Sequence, residues 1–331
     1  MVTTQRLSDR FGRVATDLRV SLTDRCNLRC SYCMPAEGLD WLPDDSVLND
    51  DEVVRLVRIG VEQLGIREVR FTGGEPLVRR GLVDIVRRTH DLGVETSLTT
   101  NALGLARMAE ALAAAGLDRV NVSLDSVRAE TFHQITRRDR LKDVVAGLEA
   151  AQAAGLGPVK INAVLMRGVN DDQAPELLRW SLERRYELRF IEQMPLDAQH
   201  GWSREGMVTA DEILMALEAE FVLQPAQEPR GSAPAELFQV GDGPGTVGVI
   251  ASVTRPFCGD CDRVRLTADG QIRNCLFARE ESDLRAALRA GAADEDIAER
   301  WVVAMRGKRA GHGIDDPSFL QPDRPMSAIG G

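Results

Sequence analysis

The chain has 331 residues, of which 44% are hydrophobic and 28% charged, a balance typical of a globular protein with room for one large domain and a smaller one. It contains no run of about 18 uncharged apolar residues that would predict a membrane span, and its N-terminus lacks the apolar core of a signal peptide. We therefore expect a cytoplasmic protein. The net charge of −10 argues against a general affinity for nucleic acid, which needs a basic surface.

Strand and helix patterns alternate through the first two thirds of the chain. Short β-branched or apolar segments predict strands over Asp17–Thr23, Glu68–Thr72, Glu95–Thr100, Arg119–Leu124, Val159–Leu165 and Glu187–Glu192. Between them, helices are predicted over Asp50–Leu64, Leu82–Leu92, Leu105–Ala115, Asp143–Ala154 and Asp172–Arg184. Repeated β-then-α units build a parallel sheet, so we predict an α/β fold that is either an incomplete (β/α) barrel or a doubly wound open sheet.

This alternation stops near Phe221. Residues 224–236 are rich in Pro, Gly and Ala, which marks a boundary, so we predict domains over residues 1–223 and 224–331. Beyond the boundary, strands are predicted over Glu236–Val240, Thr246–Val253, Arg263–Thr267 and Gln271–Cys275, and helices over Asp283–Arg289 and Asp294–Gly307. The turn Ala268-Asp269-Gly270 predicts a hairpin, and the tail from Gly311 to Gly331 is predicted to be irregular.

All six cysteines fall into two triplets, Cys26, Cys30 and Cys33 with spacing C-x3-C-x2-C, and Cys258, Cys261 and Cys275 with spacing C-x2-C-x13-C. In a chain without an export signal, clustered cysteines bind metal more often than they form disulfides. Three thiolates on one loop can hold three irons of a [4Fe–4S] cluster and leave the fourth iron open, whereas structural zinc prefers four protein ligands. The first triplet, with an aromatic residue before its last cysteine, resembles the signature of radical S-adenosylmethionine (SAM) enzymes.

For the second triplet, the alternative to an iron–sulfur cluster is a zinc ribbon that lacks one ligand. His312 could supply that ligand, but it lies 37 residues beyond Cys275, outside any compact ribbon spacing. We therefore interpret His312 as a surface residue of the tail.

The second predicted strand ends in Phe71-Thr72-Gly73-Gly74-Glu75-Pro76. Two glycines allow the backbone to approach a ligand closely. Alone, this turn would be read as a tight βα connection. One strand after the cysteine loop, it resembles the glycine-rich motif that receives the amino group of SAM in radical SAM enzymes.

Much of the chain resembles the GTP 3′,8-cyclases of molybdenum-cofactor biosynthesis. The resemblance is carried by LRVSLTDRCNLRCSYCMP, RFTGGEPLVRRG, LTTN, NVSLDS, VKINAVLMRGVN, RFIEQMP, FCGDCDRVRLTADGQIRNCLF and a terminal Gly-Gly. The second triplet with its Arg-x-Arg continuation distinguishes this family from most other radical SAM enzymes. The sequence departs from the family pattern at Ala102, where glycine is expected after Thr-Thr-Asn. This departure affects only the expected geometry of that turn.

The resemblance implies an incomplete (β/α)6 TIM-like radical SAM barrel and a smaller C-terminal α+β domain that holds a second iron–sulfur cluster. It implies a lyase that converts GTP to (8S)-3′,8-cyclo-7,8-dihydroguanosine 5′-triphosphate, with formation of 5′-deoxyadenosine and methionine. Cyclic pyranopterin monophosphate synthase would take the product onward, and the chain would act as a homodimer or a monomer. The resemblance does not identify the electron donor.

It also implies roles for individual residues. Cys26, Cys30 and Cys33 would hold the [4Fe–4S] cluster that binds SAM, and Cys258, Cys261 and Cys275 would hold a second [4Fe–4S] cluster whose open iron meets the guanine base. The residues that would line SAM are Tyr32, Gly74, Ser123 and Met194. The residues that would contact GTP are Arg19, Arg70, Thr99, Lys160, Arg263, Val264 and Arg265. No residue is assigned as an acid or a base, because the chemistry is radical.

The order of these residues along the chain gives the assignment physical support. Five of them lie in or just beyond successive predicted strands, so they could converge at one face of a barrel: Arg70, Thr99, Ser123, Lys160 and Met194. Arginine offers forked donors that suit a triphosphate. Taken singly, each has a plainer interpretation, since Ser123 fits a pleated strand, Met194 fills a core, and Lys160 and Arg265 would be surface charges.

Two other functions remain open. A different radical SAM enzyme with an auxiliary cluster, such as a peptide-modifying maturase, usually carries more C-terminal cysteines than the three found here. A nonenzymatic zinc or nucleic-acid-binding module is disfavoured by the acidic charge and by the lack of interleaved basic and aromatic residues.

The tail ends in Gly330-Gly331, for which two interpretations apply. Glycines fit where backbone enters a tight space, and a terminal carboxylate would be favoured near Arg19 or the other basic residues. The alternative is a frayed terminus. The resemblance favours a tail that enters the active site.

Overall fold

One twelve-stranded sheet runs through residues 6–227 and 229–330, the part of the chain that the computed structural model describes. Its strands are β1 (Asp17–Ser21), β2 (Glu68–Thr72), β3 (Glu95–Thr100), β4 (Arg119–Ser123), β5 (Lys160–Val164), β6 (Glu187–Ile191), β7 (Leu223–Pro225), β8 (Glu236–Val240), β9 (Thr246–Ile250), β10 (Arg263–Leu266), β11 (Gln271–Arg273) and β12 (Ser282–Asp283). The sheet order is β12-β11-β10-β1-β2-β3-β4-β5-β6-β9-β8-β7.

The helices of the described ranges are α1 (Asp50–Leu64), α2 (Leu82–His90), α3 (Ala109–Ala114), α4 (Ala129–Thr136), α5 (Leu141–Ala153), α6 (Ala174–Glu183), α7 (Ala210–Glu218), α8 (Arg285–Arg289), α9 (Asp294–Arg306) and α10 (Met326–Ile329). None of them is long and apolar enough to cross a membrane. At least one helix lies between each successive pair of strands from β1 to β6, as expected of β-then-α units.

Eight neighbouring strands, β10, β1 to β6 and β9, are parallel. Strands β1 to β6 follow one another in chain order, without the reversal that a doubly wound sheet has. Because the strand order also has two ends among the described residues, the predicted incomplete barrel is confirmed. Strands β9 and β10 come from the C-terminal region and continue the same sheet at the two sides of β1–β6, and antiparallel β8–β7 and β11–β12 extend it further. The division at residue 223 stays a prediction.

The predicted strands agree closely with the structure. Burial alternates along β2, β5 and β6, whereas most positions of β1, β4 and β10 are buried. Leu18, Val69 and Leu188 are fully buried against the helix layer, and the residues on either side of each face the barrel interior. The predicted hairpin at Ala268–Gly270 is confirmed by the antiparallel pairing of β10 with β11.

Helix α1 has the predicted bounds because both of its ends are specified locally. Asn49 and Glu52 form a capping box at its start, and Gly65 ends it at φ 80°. The predicted helix over Leu105–Ala115 is instead a 3-10 turn followed by α3. Three helices were not predicted, α4, α7 and α10, although α7 carries the readable capping box Thr209 and Glu212. The tail was predicted to be irregular, but it contains the short helix α10.

Candidate active site

The first cysteine triplet lies on the loop after β1. Cys26, Cys30 and Cys33 line one cavity of about 150 Å³ at the C-terminal ends of the barrel strands. Burial raises the pKa of Cys26 to about 11 and that of Cys33 to about 12. Such thiols stay protonated at neutral pH unless a metal stabilises the thiolate. In the described ranges, no three His, Cys, Asp or Glu side chains meet at a point that could hold a single metal ion.

The end of α4 fixes the backbone of this cysteine loop. The N–H groups of Arg29 and Ser31 donate to the carbonyls of Thr136 and Ile135, at 3.1 and 2.9 Å. Arg137, which adopts a left-handed φ of 57°, donates from Nη1 to the carbonyl oxygen of Arg29 at 2.7 Å. Sequence reasoning missed this support, because α4 was not predicted and Arg137 lies about a hundred residues from the loop.

The glycine pair after β2 is required by packing as well as by the cavity. A Cβ atom at Gly73 would overlap the carbonyl oxygen of Thr23, and one at Gly74 would overlap that of Asp24. The sequence predicted either a tight βα connection or a close approach to a ligand. In the structure, these glycines let the turn after β2 pack on the start of the cysteine loop. Both glycines also line the cavity of the first triplet.

Glu75 follows the glycines and is 1% exposed. It accepts hydrogen bonds from Thr100 Oγ1 at 2.6 Å and from the backbone N–H groups of Asn101 and Leu77 at 2.7 and 3.0 Å. Burial raises its pKa to about 7 despite these bonds. The carboxyl group therefore links the turn after β2 to the end of β3, and so fixes two walls of the cavity relative to each other.

Tyr32 and Asp125 form a second link across the barrel. The Tyr32 hydroxyl donates to Asp125 Oδ2 at 2.9 Å, and Asp125 Oδ1 accepts from the Val164 N–H at 2.9 Å. Burial raises the pKa of Asp125 to about 6. Asp125 was not singled out from the sequence, although it directly follows the predicted strand that ends at Leu124.

The second triplet faces a larger cavity of about 280 Å³, lined by Cys258, Cys261 and Cys275. The two cavities adjoin, because five residues line both: Tyr32, Thr99, Ser123, Asp125 and Met326. Met194 lines the larger cavity and Gly74 the smaller one. All four residues predicted to line SAM therefore border this joined space.

Four of the predicted GTP-binding arginines line the larger cavity: Arg19, Arg70, Arg263 and Arg265. The parallel register places Arg265 beside Arg19 and Arg19 beside Arg70. Burial, and the neighbouring Arg70, lower the pKa of Arg19, and burial lowers that of Arg265 to about 10. The Nε groups of Arg19, Arg263 and Arg265 are buried without a hydrogen-bond partner in the described part of the chain. Crowded cations with unpaired donors favour an anionic ligand.

Thr99 also lines the larger cavity, but two predicted GTP contacts do not. Lys160 Nζ lies 3.9 Å from a carboxylate oxygen of Glu187, and burial lowers its pKa to about 8. Val264 is fully buried in the hydrophobic core, on the face of β10 opposite to Arg263 and Arg265. Val264 does not reach the cavity because alternate residues of a strand point to opposite faces. Lys160 does not line it because this residue lies at the N-terminal end of β5.

His312 was predicted to be a surface residue of the tail, and this was wrong. It is half-buried and lines the larger cavity beside the second triplet. Its Nδ1 accepts from the Ile314 N–H at 3.0 Å, so its Nε2 is the donor to the Ser252 carbonyl at 3.1 Å. Both ring nitrogens are thus occupied by protein partners.

The end of the tail lies inside the barrel. Ser21 Oγ donates to the carbonyl of Ile329 at 2.8 Å, and the Arg265 guanidinium donates to the carbonyl of Gly330. Met326 lines both cavities, and Gly330 is buried. The frayed-terminus alternative is therefore wrong for Met326–Gly330. Gly331, the last residue of the predicted Gly-Gly tail, lies outside the described residues.

The fold and the first cysteine loop define the class of protein. Residues 20–181 match the Radical SAM superfamily, and residues 186–314 match the family described as Molybdenum Cofactor Synthesis C. The fold is similar to that of Streptococcus suis SuiB bound to S-adenosylmethionine, with a TM-score of 0.61 at 14% identity over 90% of this chain and 69% of that one. At this identity the similarity concerns the fold alone. The chain is a radical SAM protein, a class that uses a [4Fe–4S] cluster and SAM.

Curated relatives narrow the class to a family. The chain is 67% identical to the GTP 3′,8-cyclase of Streptomyces coelicolor, over 98% of this chain and 96% of that protein. It is 63% identical to that of Mycolicibacterium smegmatis, over 98% and 92%, and 60% identical to that of Corynebacterium glutamicum, over 98% and 89%. The chain belongs to the GTP 3′,8-cyclase family, so the resemblance found in the sequence is confirmed.

Proposed function

We propose that this chain converts GTP to (8S)-3′,8-cyclo-7,8-dihydroguanosine 5′-triphosphate in molybdenum-cofactor biosynthesis, with 5′-deoxyadenosine and methionine as the other products. The observation that carries the proposal is a joined cavity bordered by both cysteine triplets and by four arginines. A ligand that fills the larger part would meet both thiolate-bound iron and guanidinium groups, because the arginines and the second triplet line the same cavity. A nucleoside triphosphate offers a base and an anionic chain in that arrangement.

Cys26, Cys30 and Cys33 would hold the first [4Fe–4S] cluster and leave one iron for SAM. When reduced, this cluster supplies the electron that cleaves SAM and begins radical chemistry on the substrate. The residues that would line SAM are Tyr32, Gly74, Ser123 and Met194. The Tyr32–Asp125 hydrogen bond would hold that aromatic ring in place, because Asp125 is buried and Tyr32 is half-buried.

We further propose that Cys258, Cys261 and Cys275 hold a second [4Fe–4S] cluster, whose open iron would meet the guanine base. Burial by itself would raise the pKa of Cys261, but the positive charges of Arg263 and Lys308 lower it to about 7. A thiol that ionises readily suits an iron ligand. His312 has both nitrogens bonded to protein groups, which supports the cysteines as the protein ligands of this site.

The triphosphate would be bound by Arg19, Arg70, Arg263 and Arg265. Each guanidinium can present two parallel N–H donors to phosphate oxygens, and three of the four have an Nε group without a hydrogen-bond partner in the described residues. Thr99 would contact GTP where the two cavities adjoin. For Lys160 to contact GTP, its side chain would have to turn away from Glu187. Val264 would contribute only by fixing its arginine neighbours, because its own side chain lies in the core.

The chain would therefore act mainly by positioning its ligands and by excluding water. The inserted tail supports this, since Met326–Gly330 occupies space at the end of the barrel next to Arg265. The product would pass to cyclic pyranopterin monophosphate synthase, and the chain would work as a homodimer or a monomer.

Anaerobic reconstitution with iron and sulfide, followed by incubation with SAM, dithionite and GTP, tests the proposal. We expect about eight irons per chain, and a product isomeric with GTP that forms together with 5′-deoxyadenosine. Replacing the first three cysteines with Ala should abolish SAM cleavage. Replacing Cys258, Cys261 and Cys275 should leave SAM cleavage largely intact and abolish cyclisation. A reconstituted chain that cleaves SAM but leaves GTP unchanged would refute the proposed substrate.

A further inference from the structure

Lys308 is a buried cation beside the second cysteine triplet. It follows α9 by two residues and is 2% exposed. Its ammonium group donates to Cys261 Sγ at 3.4 Å, to the Cys261 carbonyl at 3.2 Å and to the Arg263 carbonyl at 2.9 Å. It forms no ion pair with a carboxylate in the ranges that the structure describes. All three of its acceptors therefore belong to the short segment that runs from the second triplet into β10.

A buried ammonium group is costly unless an anion compensates it. Two of the three acceptors are neutral carbonyls, so only the sulfur of Cys261 can carry the compensating negative charge. A cysteine bound to iron is a thiolate. The position of Lys308 is thus explained if Cys261 is a cluster ligand, and this rests on the second cluster of the proposed function.

We propose that Lys308 is a positioning residue of the second cluster, and that its charged hydrogen bond to the Cys261 thiolate raises the reduction potential of that cluster. Hydrogen bonds to the sulfurs and local charge are among the factors that set the potential of an iron–sulfur cluster. A positive charge next to a ligand stabilises the reduced, more negative cluster. Lys308 therefore acts on the electronic state of the cluster as well as on its geometry.

The charged side chains beside the two triplets differ. Cys26 Sγ accepts from the neutral amide of Asn101 at 3.8 Å, and its pKa is raised by burial and by Glu75 but lowered by Arg29. At Cys261, Arg263 and Lys308 are both positive. Lys308 is thus one of two cations that act on the second triplet through this cysteine.

The backbone of the second triplet has supports other than Lys308. Arg13 Nη1 donates to the carbonyl of Cys258 at 2.6 Å, and Asn274 Nδ2 links the end of β11 to the Ala304 carbonyl of α9 at 2.8 Å. Replacing Lys308 by a residue of similar length without charge should therefore remove the electrostatic effect and leave the fold in place.

The test is a redox titration of the reconstituted holoenzyme, followed by electron paramagnetic resonance, with iron analysis of every variant. In Lys308→Met, we expect the potential of the second cluster to fall and that of the first cluster to stay unchanged. Lys308→Arg, which keeps the charge, should lie nearer the parent potential. Lys142→Met removes an exposed lysine on α5 and is the matched control, with no expected shift.

An unchanged second-cluster potential in Lys308→Met would overturn the inference, as would equal shifts in the Met and Arg variants or in both clusters. If Lys308→Met does not retain the second cluster, the arginine variant decides: retention there supports the role of the charge, and loss in both refutes it. A parent enzyme with only about four irons would instead refute the proposed second cluster and this inference with it. Eight irons and an unmoved potential would refute the inference alone.

Discussion

A single methyl group added at Gly330 should dislodge the tail from the barrel. Gly330 has a φ of 85° and is buried, and a Cβ atom there would overlap Ser21 Oγ and approach Thr72 Cγ2 to 2.6 Å. Ser21 Oγ cannot rotate away without losing its hydrogen bond to the Ile329 carbonyl. Gly330→Ala therefore perturbs the contacts of the tail and leaves the core of the barrel untouched.

The cost of this change follows from two terms. Holding an alanine in this sparsely populated backbone conformation costs about 1–3 kcal/mol, and breaking the Ser21 hydrogen bond costs about 1 kcal/mol. Together they weaken tail docking by about 2–4 kcal/mol, which corresponds to a population change of roughly 30- to 1000-fold. The Arg265 bond to the Gly330 carbonyl would be lost with the docked state. Cyclisation should fall while the iron content stays unchanged.

Hydrogen–deuterium exchange of the C-terminal peptide, measured together with GTP turnover and iron content, checks this prediction. Gly313→Ala is the matched control, because Gly313 also lies in the tail at a positive φ of 73°, yet a Cβ atom there meets nothing within 4 Å. We expect faster exchange and slower turnover only in Gly330→Ala. If both variants exchange and turn over alike, the buried position of Gly330 has no part in the reaction.

Two further predictions concern the basic residues. Arg265→Ala should weaken GTP binding by about 1.5–3 kcal/mol, the scale of a hydrogen bond to a charged group. The control Arg107→Ala removes an exposed arginine and should leave the GTP affinity unchanged. Equilibrium dialysis under anaerobic conditions measures the affinity of each variant, and equal affinities would exclude Arg265 from the site. Burial lowers the pKa of Lys160 from 10.5 to about 8, so the unfolded chain binds more protons between these pH values. The stability of the parent should therefore rise from pH 8 to 10.5 relative to Lys160→Met in denaturant unfolding, and parallel profiles would contradict the burial of this charge.

The local structure of this protein could largely be predicted from its sequence. Short apolar or β-branched segments with polar or glycine-rich ends predict β1 to β6, and the acidic start at Asp50 and the following Gly65 predict α1, because these signals act over a few neighbouring positions. The spacing of the first cysteine triplet predicts the [4Fe–4S] chemistry of the radical SAM class, because its three thiols lie on one loop. The glycine expected at position 102 is explained as well, since Ala102 has a left-handed φ of 63°.

Which side chains meet was decided only by the tertiary structure. Arg265 lies beside Arg19 because β10 adds to β1 in parallel, a pairing of segments 246 residues apart that no local pattern specifies. The same long-range packing places the ammonium group of Lys308 next to Cys261. It also gives both ring nitrogens of His312 hydrogen-bond partners in the protein, and it places Lys160 next to Glu187. Residue type and spacing determine what each segment can do chemically. Strand order and register determine which of these groups share a cavity, because they depend on contacts between distant parts of the chain.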